Sequence, residues 1–337
     1  MKKALDKVCV VGAGSWGTTL AGLLAKKGFK VFIWAREAEV AEAITSTREN
    51  KLFLPGVKLA DGLIASNNIK DCLEGAGLVV CAVPSHGIRG VFGPVAGLIR
   101  KDAVVVSVSK GIEEESLLTP SAILSGVLRE ASFSGHVAVL SGPSFASEVS
   151  LGLPAAVSAA CADITSAMVV QNAFSTPAFR VYTNTDIIGV ETGGALKNVI
   201  AIASGISDGL CLGHNARAAL ITRGLAEITR LGVKLGANSA TFYGLSGLGD
   251  LVLTCTGPLS RNYSLGVRAG KGEGLDSILA NMNTVAEGVK TSRASAALSR
   301  RLNVEMPITS AVCDVLYNGK RPKDAVIGLM ARDLKGE

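Results

Sequence analysis

The sequence predicts an α/β fold, a doubly wound parallel sheet followed by an all-helical C-terminal domain, on three observations. Residues 8–17, V-C-V-V-G-A-G-S-W-G, are a strand-like apolar run that empties into glycines at 12, 14 and 17. β-rich runs then alternate with helical patterns to about residue 183, the pattern of a parallel sheet with helices on both faces. From Asp186 onward β-rich runs nearly vanish and long Ala-, Leu- and Ile-rich helical patterns take over.

A chain of 337 residues is too long for one small core and suits two domains. The change of pattern places them at 1–188 and 189–337. Hydrophobic residues are 48% and charged ones 18%, so core material is plentiful and no segment has the polarity of a disordered chain. The net charge of +6 is spread along the chain without a run of Lys or Arg, which argues against a nucleic-acid arm or a membrane patch and for a small anionic partner. Seven cysteines, at 9, 72, 81, 161, 211, 255 and 313, form no C-x-x-C pair and read as small core residues in a reducing compartment. Residues 1–7 lack the form of a signal peptide. No uninterrupted apolar stretch reaches the ~18 residues of a membrane span. Three histidines, at 86, 136 and 214, have no zinc-type spacing, so no metal is expected.

In chain order, the strand at 8–11 meets the first turn of a helix in which Gly12 permits a tight turn, Gly14 lets a pyrophosphate approach bare backbone and Gly17 lets helix and strand pack closely, the dinucleotide-binding (Rossmann) pattern. The free N–H groups and dipole of that helix start attract phosphate oxygens. The helix stops at Gly28, and residues 30–34, K-V-F-I-W, form a second strand. Just past its end an acid binds the adenine ribose hydroxyls of NAD, whereas an Arg accommodates the 2′-phosphate of NADP. Arg36 stands there with Glu37 next, which leans to NADP or dual use; the alternative is a solvated loop cation. Residues 38–48 read as a helix and 50–56, N-K-L-F-L-P-G, as a loop. A strand at 63–66, a short helix at 69–74 and a buried strand at 77–83 follow, ending in Pro84 and Ser85. A strand at 103–109 delivers Lys110, either to a phosphate or substrate oxygen or to a plain surface turn. A helix at 121–130 and a strand at 136–140 lead into S-G-P-S-F-A at 141–146, where Pro143 suits the first position of a helix. Runs at 154–160 and 180–182, with a helix at 164–174 between them, are candidates for further strands.

In the second half, residues 191–210 read as one helix in which Gly193, Lys197, Ala201, Ser204 and Asp208 share a face. Glycine in a helix interior costs about 1 kcal/mol relative to Ala, so Gly193 and Gly194 imply that something needs the room. A Lys on a small-residue stripe in a partly dry cleft has a lowered pKa and serves as proton donor or acceptor; the plainer reading is a Lys snorkelling to water. Residues 215–231 form a long amphipathic helix. Asp250 follows two close glycines, and Ser260-Arg261-Asn262 at a helix entry suits a phosphate, or else is an ordinary N-cap.

The chain resembles the bacterial, soluble NAD(P)-dependent glycerol-3-phosphate dehydrogenases. The resemblance rests on G-A-G-S-W-G-T at 12–18, A-V-P-S at 82–85, S-K-G at 109–111, S-G-P-S-F-A at 141–146 and G-A-L-K-N-V-I-A-I-A at 194–203. It continues in L-G-D-L-V-L-T-C-T at 248–256, S-R-N at 260–262, A-E-G at 286–288 and M-P-I-T at 306–309. It implies reduction of dihydroxyacetone phosphate to sn-glycerol 3-phosphate by NADPH or NADH, feeding phospholipid synthesis, by a cytoplasmic homodimer. Lys197 would be the general acid/base, with Lys110 and Asp250 as polar neighbours. The resemblance assigns the cofactor to Gly12, Gly14, Ser15, Trp16, Gly17, Arg36, Lys110, Ala146, Arg261, Val285 and Glu287. It assigns the substrate to Lys110, Gly142, Ser144, Lys197, Asp250, Ser260, Arg261 and Asn262. Gly257-Pro258 and His214 depart from the family pattern, so no role is expected of His214. Two other readings are a reductase of small keto acids, whose carboxylate the S-R-N turn would also suit, and a catalytically idle nucleotide sensor, which the presence of both Lys197 and Asp250 argues against.

Overall fold

In the computed structural model, which describes residues 5–282, 286–334 and 336, the chain divides into two compact units. The first comprises Met1–Ser109 and Thr119–Val190, the second Lys110–Leu118 and Glu191–Glu337. The excursion of residues 110–118 into the helical unit has no sign in the pattern of the sequence, and it takes Lys110 with it.

The first unit is built on β1 (Lys7–Val11), α1 (Ser15–Lys26), β2 (Lys30–Trp34), α2 (Ala38–Thr47), β3 (Leu63–Ser66), α3 (Ile69–Leu73), β4 (Leu78–Cys81), α4 (Ile88–Phe92), β5 (Val104–Ser107), α5 (Pro120–Glu130), β6 (His136–Ser141), α6 (Ala146–Ser150), β7 (Ala155–Ala160), α7 (Ile164–Phe174) and β8 (Phe179–Asn184). The strands form one sheet in the order β3-β2-β1-β4-β5-β6-β7-β8. Side chains alternate across it: Val8 and Val10 of β1 join one buried cluster with Leu78, Val80, Val104 and Val106, while Cys9 and Val11 join the other with Val79 and Val105. A strand buried on both faces needs a continuous apolar run, which is why 8–11, 78–81 and 104–107 carry no charge.

The sheet departs from the expected wholly parallel form at one pairing. β6 and β7 are antiparallel, whereas β7 and β8 are parallel to each other. The β6–β7 connection carries only the five-residue α6, whereas the parallel β7–β8 pair is joined through the eleven-residue α7, the kind of crossover helix that usually links parallel strands. Pro143 is likewise not the first residue of a helix: α6 begins at Ala146, with Phe145 as its N-cap.

The helical unit contains α8 (Ile187–Gly209), whose first turn belongs to the first unit, then α9 (Gly213–Lys234), α10 (Asp250–Thr256), α11 (Arg261–Gly270), α12 (Leu275–Ala280), α13 (Glu287–Leu302), α14 (Pro307–Tyr317) and α15 (Pro322–Met330). Among the described residues α8 alone is long and apolar enough to cross a bilayer, but 89% of its apolar window is buried in the protein, the mark of a core helix. It crosses α11 backbone to backbone. A Cβ on Gly205 would collide with the Tyr263 carbonyl, and one on Gly266 with the Ile202 carbonyl. Five cysteines are buried as expected, but Cys313 is half-buried and Cys211, just past α8, is exposed.

Candidate functional site

The glycine turn of the first unit is shaped by three different demands. Gly12 has φ +114°, and a Cβ there would stand 2.7 Å from the Ala82 carbonyl. Gly17 has its own demand: a Cβ would strike the Gly12 carbonyl, so α1 packs onto the turn only without a side chain. Gly14 has nothing within 4 Å of its Cβ position and is the N-cap of α1 without a side-chain cap. Bare backbone and uncapped N–H groups at a twelve-residue helix fit a pyrophosphate.

The loop at 50–56, whose purpose the sequence leaves unread, secures this turn. Buried Asn50 donates through Nδ2 to the Ala13 carbonyl and to Thr18 Oγ1, each at 2.8 Å, and Ser15 Oγ donates to the Phe53 carbonyl at 2.5 Å. The Trp16 ring lies 6.3 Å from that of Phe179, and Thr19 Oγ1 donates to the Ala146 carbonyl at 3.2 Å, so Ala146 sits against α1. Arg36 is 81% exposed at the end of β2 and pairs with Glu37 at 2.5 Å. Gly142 leaves β6 with φ +150° and packs tightly, since a Cβ would meet Val157 Cα at 2.8 Å. Ser144 Oγ donates back to the Gly142 carbonyl at 3.0 Å.

The chemical centre of the helical unit is a carboxylate between two ammonium groups. Asp250 is fully buried; its Oδ2 accepts from Lys110 Nζ at 2.6 Å and its Oδ1 from Lys197 Nζ. Lys197 also donates to Thr254 Oγ1 at 2.7 Å, and Thr254 donates to the Asp250 carbonyl at 2.7 Å. Lys197 is only 6% exposed, so it does not snorkel, and the half-buried Lys110 is not a plain turn residue. Burial pushes the Lys197 ammonium down to about 7; Asp250 opposes this and Lys110 adds to it. Two cations sharing one carboxylate explain the direction of the last effect.

Local sequence explains how Asp250 arrives there. Residues Leu245–Gly249 make a π-helical turn directly ahead of α10; such turns are rare and recur at functional sites. Gly193 of α8 admits it, since a Cβ would stand 2.6 Å from the Ser246 carbonyl. The room read from Gly193 in the sequence is thus taken by backbone, not by a ligand.

Ser260 is the N-cap of α11, accepting from the Tyr263 amide at 3.2 Å, and it is buried. Asn262 is buried too, and its Oδ1 accepts from the Gly288 amide at 3.0 Å, which brings the A-E-G turn beside α11. Gly288 also lies against the backbone of Asn198, the neighbour of Lys197. Arg261 is exposed. Burial raises the Glu287 carboxyl, while the charges of Arg261, Lys110 and Lys197 counter it. Val285 lies outside the described residues. His214 is exposed near the start of α9. Thr254 and Asn50 went unread in the sequence: one helical turn between Asp250 and Thr254 was the available signal for the first, and nothing local marked the second.

Comparison with known proteins agrees along the whole chain. Residues 7–167 match the family described as NAD-dependent glycerol-3-phosphate dehydrogenase N-terminus, and residues 186–327 the corresponding C-terminus. A glycerol-3-phosphate dehydrogenase [NAD(P)+] of Geobacter sulfurreducens is 54% identical over 332 residues, 98% of this chain and 99% of the relative. The crystal structure of glycerol-3-phosphate dehydrogenase from Coxiella burnetii superposes with a TM-score of 0.92 at 38% identity, covering 98% of this chain and 100% of the other. A ketopantoate reductase from Ralstonia eutropha, at 15% identity and a TM-score of 0.60 over 95% of this chain and 99% of its own, shares the fold alone.

Proposed function

The chain belongs to the NAD(P)-dependent glycerol-3-phosphate dehydrogenase family, and we propose that it reduces dihydroxyacetone phosphate to sn-glycerol 3-phosphate with Lys197 as the proton donor. The observation that carries the proposal is the Lys197–Asp250–Lys110 cluster with Thr254. An ammonium has three N–H donors; Asp250 and Thr254 take two, and the third is directed to the substrate carbonyl oxygen. When bound, the nicotinamide supplies a hydride to the carbonyl carbon. Charge then develops on the oxygen, and Lys197 quenches it by giving up a proton. With its pKa near 7, Lys197 has the proton affinity for transfer in either direction at neutral pH.

Asp250 holds both ammonium groups in place, and Lys110 adds a second cation beside the oxygen. The substrate phosphate is assigned to the first turn of α11, where Arg261 and Asn262 bind and Ser260 secures the helix start. Gly142 and Ser144 supply further substrate contacts. The dinucleotide is assigned to Gly12, Gly14, Ser15, Trp16 and Gly17, with Ala146 beside α1 and with Lys110, Arg261, Val285 and Glu287; the open Gly14 and the uncapped α1 fit its pyrophosphate. Arg36 is assigned to the 2′-phosphate of NADP. The enzyme works as a homodimer in the cytoplasm and supplies phospholipid synthesis.

Oxidation of NADH and NADPH measured with dihydroxyacetone phosphate, and with several small keto acids, tests the reading. A rate with the phosphate and none with the keto acids is expected. No rate with dihydroxyacetone phosphate overturns it.

A further inference from the structure

Asp208 is the next-to-last residue of α8, where the helix dipole disfavours an acid. Two partners hold it there. Arg217 of α9 grips it as a fork, Nε to Oδ1 at 3.1 Å and Nη2 to Oδ2 at 2.7 Å, and the Tyr263 hydroxyl of α11 donates to Oδ2. The Asp208 and Arg217 side chains are 12% and 24% exposed, so this is not a loose surface pair, and charge-assisted bonds of this kind fix geometry strongly.

Tyr263 is constrained at every end. Its amide is capped by Ser260, its carbonyl rests where Gly205 has no side chain, and its hydroxyl is tied to Asp208. It follows Arg261 and Asn262 directly. Arg261 is exposed, so its direction depends on the helix start that carries it.

We propose that Tyr263 is a positioning residue for phosphate binding: its tie to Asp208, and through Asp208 to Arg217, fixes the first turn of α11 on α8 and so sets where Arg261 and Asn262 meet the substrate. This rests on the assignment of the substrate phosphate to that turn. Ordinary N-capping by Ser260 orders the helix start by itself; the hydroxyl of Tyr263, at the far end of its ring, adds the lateral hold that a cap does not.

The test is Tyr263→Phe, which removes one oxygen. With NADH as cofactor, the KM for dihydroxyacetone phosphate and the Ki of inorganic phosphate both rise about tenfold, as the phosphate contacts of a less firmly held helix start weaken. kcat stays within about twofold, because those phosphate contacts are made equally in ground and transition states. The Kd of NADH, read by fluorescence titration, is unchanged. Asp208→Asn, which keeps an acceptor for the hydroxyl, raises KM less than Asp208→Ala, and this pair carries the test if Tyr263→Phe fails to fold. An unchanged KM, a KM that rises without the phosphate Ki, or a fall in kcat of the same size overturns the proposal. Arg261→Ala separates the two readings. If it leaves KM and Ki unchanged, the phosphate assignment fails; if it raises both while Tyr263→Phe is silent, only the role of Tyr263 fails.

Discussion

Lys197 and Asp250 are bonded directly across 53 positions of sequence, with both side chains nearly out of solvent. Burial disfavours the charged form of a lysine, and a carboxylate restores it. The balance leaves the ammonium near 7, so protonation is in play at physiological pH. kcat for dihydroxyacetone phosphate reduction requires protonated Lys197 and falls as pH rises through about 7; kcat for glycerol 3-phosphate oxidation requires the free amine and rises over the same range. Paired pH–rate profiles check this, and profiles with the same sign in both directions would remove Lys197 from the role.

Lys197→Ala lowers kcat by about 10²-fold or more, the scale of a positioned acid or base. The glycine turn that is assigned to the dinucleotide is untouched, so the Kd of the cofactor holds. Single-turnover absorbance at saturating cofactor measures the first and fluorescence titration the second.

Asp250→Asn leaves two ammonium groups without their shared counter-charge. Asp250 raises the pKa of Lys197, so its loss drives that pKa lower, and the pH limb of reduction moves to more acidic pH. Breaking a buried pair by removing one partner costs about 3–5 kcal/mol. Deprotonation of Lys197 relieves part of that cost, so the loss in thermal stability is larger at low pH than at high pH. A variant whose pH limb stays in place would show that Asp250 does not set the lysine.

Glu227 is 1% exposed on α9, and its carboxylate accepts from the Ile308 amide at 2.6 Å, the Thr309 amide at 3.1 Å and the Thr309 hydroxyl at 3.0 Å. It caps α14 from another helix. Glu227→Ala strands these donors and costs about 2 kcal/mol, a drop of roughly 4–8 °C in the Tm of the helical unit. Burial raises the Glu227 carboxyl, so in the folded protein it protonates above the ordinary range, and its folded-state preference for the neutral form weakens stability as pH rises from the unfolded value through the folded one. Scanning calorimetry at several pH values reads both effects; a Tm within 1 °C of the parent would contradict the capping role, since 1 kcal/mol is worth about 2–4 °C for a unit of this size.

Arg36→Ala lowers the ratio of kcat/KM for NADPH over NADH, and the Kd of 2′-phosphorylated adenosine rises more than that of 5′-AMP. Among the described residues the exposed Arg36 guanidinium is paired with its part-exposed neighbour Glu37, a pairing worth little at the surface and easily given up to a phosphate. An unchanged ratio would place the 2′-phosphate elsewhere.

The sequence alone determined most of the local elements, α4 (Ile88–Phe92) being one that it did not announce, because those depend on neighbours three or four residues away or on strict alternation. The apolar run at 8–11 had to be a doubly buried strand. Gly12 to Gly17 had to be a turn entering a helix, and the Lys197 face was readable from helical spacing. Boundaries moved by up to four residues: α8 begins at Ile187 and not at Glu191, and β8 runs over Phe179–Asn184 and not 180–182. Only the tertiary structure decided that residues 110–118 leave the sheet unit to bring Lys110 to Asp250, that β7 runs against β6, and that Asn50 braces the glycine turn. It also decided that Gly193 makes room for a backbone turn. Each of these depends on groups distant in sequence, such as the 53 positions between Lys197 and Asp250, or on the reach of a connection. Local spacing carries no information about either. The pKa of Lys197 is the clearest case: a lysine on a helix face is a weak base only once burial and a second lysine from a remote segment meet it, and both are properties of the folded chain.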